Sequence, residues 1–164
     1  WVSLALSSLV TLERIFQADV EDGALDLWLQ AGAPVSAIAA AKTFAHWLTA
    51  GLPLALMSPV LALMFQADAG VDLLTGALIY GIGGLAFFFW GGVGAALSAT
   101  VRRGGLLIAL IALPLYVPTA IFGAMAIRST AISDTAPLML AASTLFALAV
   151  APIAMAAALR LAAD

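Results

Sequence analysis

The stretch LLTGALIYGIGGLAFFFWGGVGAALSATV, from Leu73 to Val101, contains no charged side chain. A helix needs about 20 predominantly apolar residues to cross the roughly 30 Å hydrocarbon core of a bilayer. A transmembrane β-strand would instead show about ten residues that alternate between apolar and polar. Because the bilayer core offers no water to backbone polar groups, this stretch predicts a transmembrane helix.

The composition of the whole chain agrees with that prediction. Of its 164 residues, 65% are hydrophobic and 9% are charged, whereas about 25% of the residues of a typical soluble domain are charged. A soluble helical bundle would need polar outer faces, which these apolar runs do not provide. The sequence therefore predicts an all-α, polytopic transmembrane helical bundle that forms a single transmembrane domain over residues 1–164.

Charged residues divide the chain into apolar runs of membrane-spanning length. Four complete spans are predicted, at about 43–65, 73–101, 106–127 and 137–159. Residues 1–15 are predicted to be the end of a further span, because a helix from Trp1 to Leu12 would rise only about 18 Å. No basic region precedes this segment, which argues against a secretory signal. We interpret the chain as an N-terminally truncated fragment.

The basic residues predict the orientation of these spans. When successive gaps are assigned to alternate sides of the membrane, Arg128 falls on one side and the other five basic residues fall on the opposite side. These five are Arg14, Lys42, Arg102, Arg103 and Arg160. The positive-inside rule then predicts that segment 13–42, turn 102–105 and the C-terminus are cytoplasmic. The absence of a broad basic surface argues against a nucleic-acid partner. The chain also has no cysteine, which excludes thiol chemistry.

The longest connection between spans is amphipathic. Residues Glu13 to Gln30, ERIFQADVEDGALDLWLQ, combine five acidic residues and one arginine with aliphatic and aromatic side chains. We call this segment the insert. Gly23 is predicted to end the helix that emerges from the membrane, because glycine tolerates the left-handed conformation. Gly32 and Pro34 are predicted to end a second, short helix.

Glycine and proline recur within the predicted spans. Gly84, Gly91 and Ser98 are seven residues apart and are typical of a seam where helix backbones approach closely, although a glycine-lined conduit would share the pattern. Five prolines lie within spans and predict bends that are either static kinks or hinges: Pro53, Pro59, Pro114, Pro118 and Pro152.

No catalytic or metal-binding pattern is present. His46 is the only histidine, one turn from Lys42. An ionisable group within a span is a candidate functional residue. His46 is interpreted either as a hydrogen-bonded or snorkelling side chain beside the interfacial Trp47, or as a contact for substrate or haem. There is no P-loop, so if ATP is used it must bind to another subunit. The chain is not predicted to be an enzyme.

Three long motifs resemble the cytochrome c maturation protein B family, also known as haem exporter B subunits. They are LERIFQADVEDGALDLWL at Leu12–Leu29, AKTFAHWLTAGLPL at Ala41–Leu54 and RRGGLLIALIALPLYVPTAIFG at Arg102–Gly123. The resemblance implies a six-span permease subunit of the ABC-2 exporter type in the bacterial inner membrane. It further implies a homodimer that works with cytoplasmic ATPase subunits, other cytochrome c maturation membrane subunits and a periplasmic haem chaperone. Haem would be at most a cargo and not a cofactor of this chain. ATP would bind to the partner, and its hydrolysis would drive either release of the haem-loaded chaperone or translocation of haem.

In this class the segment at about 16–34 acts as a coupling helix that sits in a cleft of the ATPase. We therefore predict that Leu25, Leu27, Trp28 and Leu29 anchor the partner. Glu21, Asp22 and Asp26 are predicted to face its basic residues. A solvated acidic loop with Trp28 among lipid headgroups is the alternative. Arg102 and Arg103 are predicted to form a second ATPase contact or to contact anionic headgroups.

Three functions stay open on the sequence: a haem-export permease, an ABC-2 permease for another substrate, or a membrane scaffold without transport. A secondary carrier is disfavoured because the spans from Leu73 onward contain no Asp, Glu or His.

Overall fold

A computed structural model describes residues 1–65, 72–101, 105–129 and 131–163. All regular structure in these ranges is helical. The helices are α1 (Val2–Leu12), α2 (Gln17–Glu21), α3 (Ala24–Gln30), α4 (Val35–His46), α5 (Leu52–Met64), α6 (Leu73–Leu97), α7 (Gly105–Ala126) and α8 (Thr135–Ala163), with a π-helical turn, Trp47–Gly51, between α4 and α5. The predicted all-α class is confirmed.

Four helical segments are long and apolar enough to cross a membrane: Val35–Met64, Leu73–Leu97, Leu106–Ala126 and Thr135–Ala163. The first consists of α4, the π-helical turn and α5 in one continuous helix. It begins at Val35, well before the predicted start at Thr43, so Lys42 lies within the helix and not in front of it. A charged residue is tolerated there because its ammonium group is paired, as described below.

The glycine-rich helix α6 lies at the centre of the bundle and packs against α1, α4, α5, α7 and α8. Most of its glycines lie against neighbouring helices, whereas a Cβ atom added to Gly81 would meet nothing within 4 Å. A Cβ atom added to Gly94 would stand 3.0 Å from the main-chain oxygen of Ile108 on α7. Gly92 faces Thr43 and Met155, and Gly91 faces Leu12. These glycines form the close-packed seam that the sequence pattern favours.

Aromatic and hydroxyl side chains complete this core. Phe87 and Phe88 on α6 are fully buried. The Trp1 ring stacks on Tyr80 with ring centroids 4.9 Å apart. Between α6 and α8, the Thr144 hydroxyl donates to the main-chain oxygen of Ile82. Such hydrogen bonds between helices supplement apolar packing where lipid supplies no hydrophobic driving force.

The π-helical turn widens the first spanning helix just before Pro53. A widened turn leaves main-chain oxygens without their usual donors. The Thr49 hydroxyl lies 3.2 Å from the oxygen of Ala45 and 3.1 Å from that of His46, and can donate to both. The π-helical turn and Pro53 are therefore adjacent departures from regular α-helical hydrogen bonding.

Helix α6 begins with a side-chain cap. The Asp72 carboxylate accepts hydrogen bonds from the amides of Leu74 and Thr75 at 3.0 and 3.1 Å, and from the Thr75 hydroxyl at 2.6 Å. Hydrogen bonds that favour the charged form, the Thr75 hydroxyl first among them, lower the pKa of Asp72 below its usual value. The cap satisfies amides that have no partner within the helix.

Candidate coupling surface

The insert folds back against the bundle. Helix α1 ends at Leu12, so the prediction that the emerging helix continues to Gly23 is wrong. The chain turns at Glu13 because Phe16, which is completely buried, points into the core. Gly23 has a φ of 74°, the left-handed conformation predicted for it, and Gly32, which follows the short helix that it was predicted to end, has a φ of 65°.

The side of the insert that faces the bundle is apolar and packs against it. Leu25 on α3 is only 2% exposed and belongs to the same core as Phe16 and Leu159. Helix α3 also packs against α8. Leu25, named from the sequence as an anchor for a partner, therefore anchors α3 to its own bundle.

Trp28 is half-buried and packs against the same core. The ammonium group of Lys42, on α4, lies 5.6 Å from the centroid of its ring. That ammonium also donates a 2.5 Å hydrogen bond to Asp19 Oδ2 and lies 6.0 Å from the Phe16 ring centroid. Trp28 thus has a partner inside the chain and presents only part of its surface outward.

The outer side of the insert is acidic. Glu21, Asp22 and Asp26 are exposed, and Leu27 next to Asp26 is 65% exposed. The Gln17 amide donates to Glu21 Oε1 at 2.9 Å. A large apolar side chain among exposed carboxylates provides both an anchor and an electrostatic signature for a basic partner. Of the four apolar residues predicted as anchors, Leu27 is the one that the structure leaves exposed.

Lys42 and Asp19 were not recognised as site residues from the sequence. They are 23 positions apart in the chain, and no local pattern relates them. The available signal was the single lysine of the chain, placed at the start of an apolar run. A charge in that position needs a partner. Which of the five nearby acids supplies it depends on how the insert folds back.

His46 lies at the end of α4, one turn after Lys42, where the π-helical turn begins. Its ring is tilted against Phe88, with centroids 5.9 Å apart. The buried Nε2 atom of His46 and the Nε1 atom of Trp47 have no hydrogen-bond partner in the part of the chain that the structure describes. No three His, Asp or Glu side chains among those residues gather as a metal site. Arg102 and Arg103 lie outside the described residues.

A cavity of about 350 Å³ opens at the opposite end of the bundle from the insert. Its walls come from the beginnings of α1 and α6 and from the ends of α5 and α7, and include Trp1, Ser58, Asp72 and Tyr80. The cavity and the acidic outer side of the insert therefore lie at opposite ends of α6.

The family described as CcmB protein matches residues 1–162, which extend from α1 into the last turn of α8. The chain belongs to the CcmB protein family. The resemblance predicted from Leu12–Leu29 and the two later motifs is confirmed. Because the match includes the insert and all four long apolar helices, this CcmB chain is a multi-pass membrane protein.

Three relatives named "Heme exporter protein B" show how far the similarity extends. The protein of Paracoccus denitrificans is 48% identical over 98% of this chain and 74% of its own length. That of Bradyrhizobium diazoefficiens is 44% identical over 98% of this chain and 73% of its own length. That of Escherichia coli K12 is 36% identical over 98% of this chain and 74% of its own length.

Proposed function

We propose that this chain is a permease subunit of an ABC transporter complex that acts in haem export for c-type cytochrome biogenesis. The family match and the names of the relatives support haem export as the process. The chain offers no ATP-binding loop in its sequence, so ATP hydrolysis belongs to a partner subunit. Its role is to pass the movement of that ATPase into the membrane.

The acidic outer face of the insert carries this proposal. Three exposed carboxylates and Leu27 stand on α2 and α3, while Phe16 before α2 and Leu25 on α3 are buried in the bundle. A loop that contacts only solvent does not require buried apolar residues, whereas a contact that transmits force to the bundle does. The ATPase that fits this face presents basic residues around an apolar cleft, and the charges set the orientation of docking. Arg102 and Arg103 are proposed as a second contact with the same ATPase.

The charge distribution supports a bacterial inner-membrane location with segment 13–42, turn 102–105 and the C-terminus in the cytoplasm. Two copies of the chain would pair with two ATPase subunits, alongside other cytochrome c maturation membrane subunits and a periplasmic haem chaperone. The exposed apolar residues of α5 and α7 suit lipid or a second copy equally.

ATP-driven movement has two outputs in this proposal. One is release of the haem-loaded chaperone from the outer side of the complex, and the other is translocation of haem. Release needs only that movement of the insert reaches the outer end of the bundle, and the continuous helix Val35–Met64 connects those two ends. Translocation would also need a haem contact within the bundle, for which His46 is the candidate ionisable side chain.

Co-purification with the ATPase tests the proposal. Asp22→Lys together with Asp26→Lys reverses the charge of the outer face, and should release the ATPase and abolish cytochrome c maturation. Gln30→Lys adds a positive charge to exposed α3 without removing an acid, and should leave both intact. A reversed-charge chain that keeps its ATPase and full maturation would refute the contact. A wild-type chain that supports maturation without any ATPase would favour the scaffold.

A further inference from the structure

Lys42, on the first spanning helix, lies close to three segments of the insert. Its ammonium group donates to Asp19 on α2 at 2.5 Å and lies 5.6 Å from the Trp28 ring centroid on α3. It also lies 6.0 Å from the ring centroid of Phe16, in the turn before α2. Three segments of the insert therefore meet at one cation on α4.

The environment of this cation differs from that of an exposed surface pair. The Lys42 side chain is 33% exposed and the Asp19 side chain 14%. Aromatic rings on two sides reduce the water around the ammonium group, which strengthens its attraction to the carboxylate and to the ring faces. A lysine that served only to bind lipid headgroups would direct its ammonium outward, whereas this one is directed at the insert.

The apolar contacts and the charged contacts have different physical consequences. Phe16 and Leu25 hold the insert to the bundle by burial, which is non-directional and permits sliding of one surface over another. A hydrogen-bonded ion pair fixes distance and direction. Removing the charge of Lys42 should therefore leave the insert attached but no longer in register with α4.

We propose that Lys42 is a positioning residue that locks the insert to α4, so that displacement of the insert by the ATPase moves the spanning helix. The proposal rests on the proposed function above. Displacement of α4 passes directly into the π-helical turn at Trp47–Gly51, where the helix already departs from regular geometry. Without the lock, the ATPase would bind and hydrolyse ATP while the spanning helix stayed behind.

Four variants, each tested in the complete membrane complex, distinguish a positioning role of Lys42 from a role in ATPase binding or in lipid contact. Lys42→Met keeps the apolar stem and removes the charge, Asp19→Asn removes its partner, and Lys42→Arg keeps a cation that can pair and stack. Arg160→Met is the control, because Arg160 is an exposed cation without an ion pair in the described part of the chain. ATPase co-purification, ATP hydrolysis and the yield of mature c-type cytochrome are measured for each.

Lys42→Met and Asp19→Asn should retain the ATPase and its hydrolysis but yield roughly threefold to thirtyfold less cytochrome per ATP hydrolysed, the range of coupling energies that single residues carry. Lys42→Arg and Arg160→Met should resemble the wild type. If Lys42→Met matures cytochrome as well as Arg160→Met does, Lys42 has no positioning role. Loss of the ATPase from Lys42→Met would also overturn the proposal, because it would make Lys42 part of the binding surface.

A distance measurement within the chain tests the positioning role of Lys42 independently of the proposed ATPase contact. The chain has no cysteine, so Ala18→Cys on α2 and Ala45→Cys on α4, both exposed, give two unique spin-label sites. A narrow distance distribution is expected, which Lys42→Met broadens and Lys42→Arg preserves. An unchanged distribution in Lys42→Met would refute the lock. If instead the wild type binds no ATPase, the proposed function fails while the broadening still tests the lock.

Discussion

The hydroxyl groups of Ser8 and Tyr116 lie 2.7 Å apart and form a buried hydrogen bond between α1 and α7. The same Ser8 hydroxyl can donate to the main-chain oxygen of Ala5 at 2.7 Å. Leu12, one turn further along α1, faces Gly91 on α6, as does the Tyr116 hydroxyl. The Ser8–Tyr116 hydrogen bond therefore joins α1 and α7 beside Gly91 of α6. Polar pairs of this kind are uncommon in an otherwise apolar interior.

Tyr116→Phe should destabilise the folded chain only modestly. Ser8 keeps Ala5 as an acceptor, so no buried group loses its last partner, and hydrogen bonds between membrane helices average about 0.6 kcal/mol. Unfolding in mixed micelles, followed by circular dichroism, measures the change. Tyr80→Phe is the control, because the Tyr80 hydroxyl has no hydrogen bond in the described ranges. A difference above about 2 kcal/mol between the two variants would contradict this estimate.

Gly94→Ala should destabilise the α6–α7 contact. The new Cβ would stand 3.0 Å from the main-chain oxygen of Ile108, and main chain cannot move aside as a flexible side chain can. Overpacking of this kind costs about 1–3 kcal/mol. Gly81→Ala adds the same atom where nothing lies within 4 Å, and should be neutral or slightly stabilising. Equal unfolding free energies for the two variants would contradict the seam.

Leu25→Ala and Leu27→Ala should have opposite signatures although they lie on the same helix. Leu25 is 2% exposed and Leu27 is 65% exposed. Truncating Leu25 leaves a cavity and should cost about 2–5 kcal/mol of stability. Truncating Leu27 should leave stability within about 0.5 kcal/mol but weaken binding of the ATPase. The opposite assignment of the two effects would mean that α3 presents its other face to the partner.

His46→Phe should change stability little. The variant removes a buried Nε2 atom that has no partner in the described part of the chain and keeps an aromatic ring against Phe88, but it also removes the contact of the imidazole with the backbone of Thr11. His46→Ala, which removes the ring as well, should be destabilised by packing loss. A clear loss of stability in His46→Phe would show that a polar contact of the imidazole stabilises the native complex. Cytochrome c maturation by the stable variant then tests the substrate role directly.

The Asp72 cap predicts that the stability of the first turn of α6 depends on pH. The pKa of this carboxyl is lowered in the folded chain by its hydrogen bonds, so its contribution is present above the ordinary aspartate value and is lost as the pH falls through the lowered one. Hydrogen exchange at the Leu74 and Thr75 amides should show protection near neutral pH. Asp72→Ala should lose that protection, and Asp72→Ser, another capping residue, should keep most of it. Equal protection in all three chains would contradict the cap.

Local features of the chain were predictable because their causes are local. Continuous apolar runs allow no structure other than a spanning helix in lipid, and the predicted all-α bundle follows from them. The left-handed conformations at Gly23 and Gly32 follow from glycine itself. The position of the insert was visible in the same way, as a charged amphipathic segment between apolar runs.

The start of the first spanning helix could not be predicted from hydropathy. Hydropathy predicts that the span starts at about Thr43, because the charge of Lys42 interrupts the apolar run before it. The structure extends the helix back to Val35, and Asp19 supplies a partner for Lys42 from another helix. Likewise, the acids and apolar residues of the insert indicated a coupling segment without showing that Leu25 faces inward and Leu27 outward.

The sequence by itself determined that the chain crosses the membrane as helices and carries an acidic amphipathic insert, since both depend on the composition of contiguous residues. Only the tertiary structure decided which side chains of that insert are available to a partner and which hold it to the bundle. The reason is physical: burial and ion pairing are properties of atoms brought together by the fold, such as Lys42 and Asp19, and no pattern along the chain records their distance.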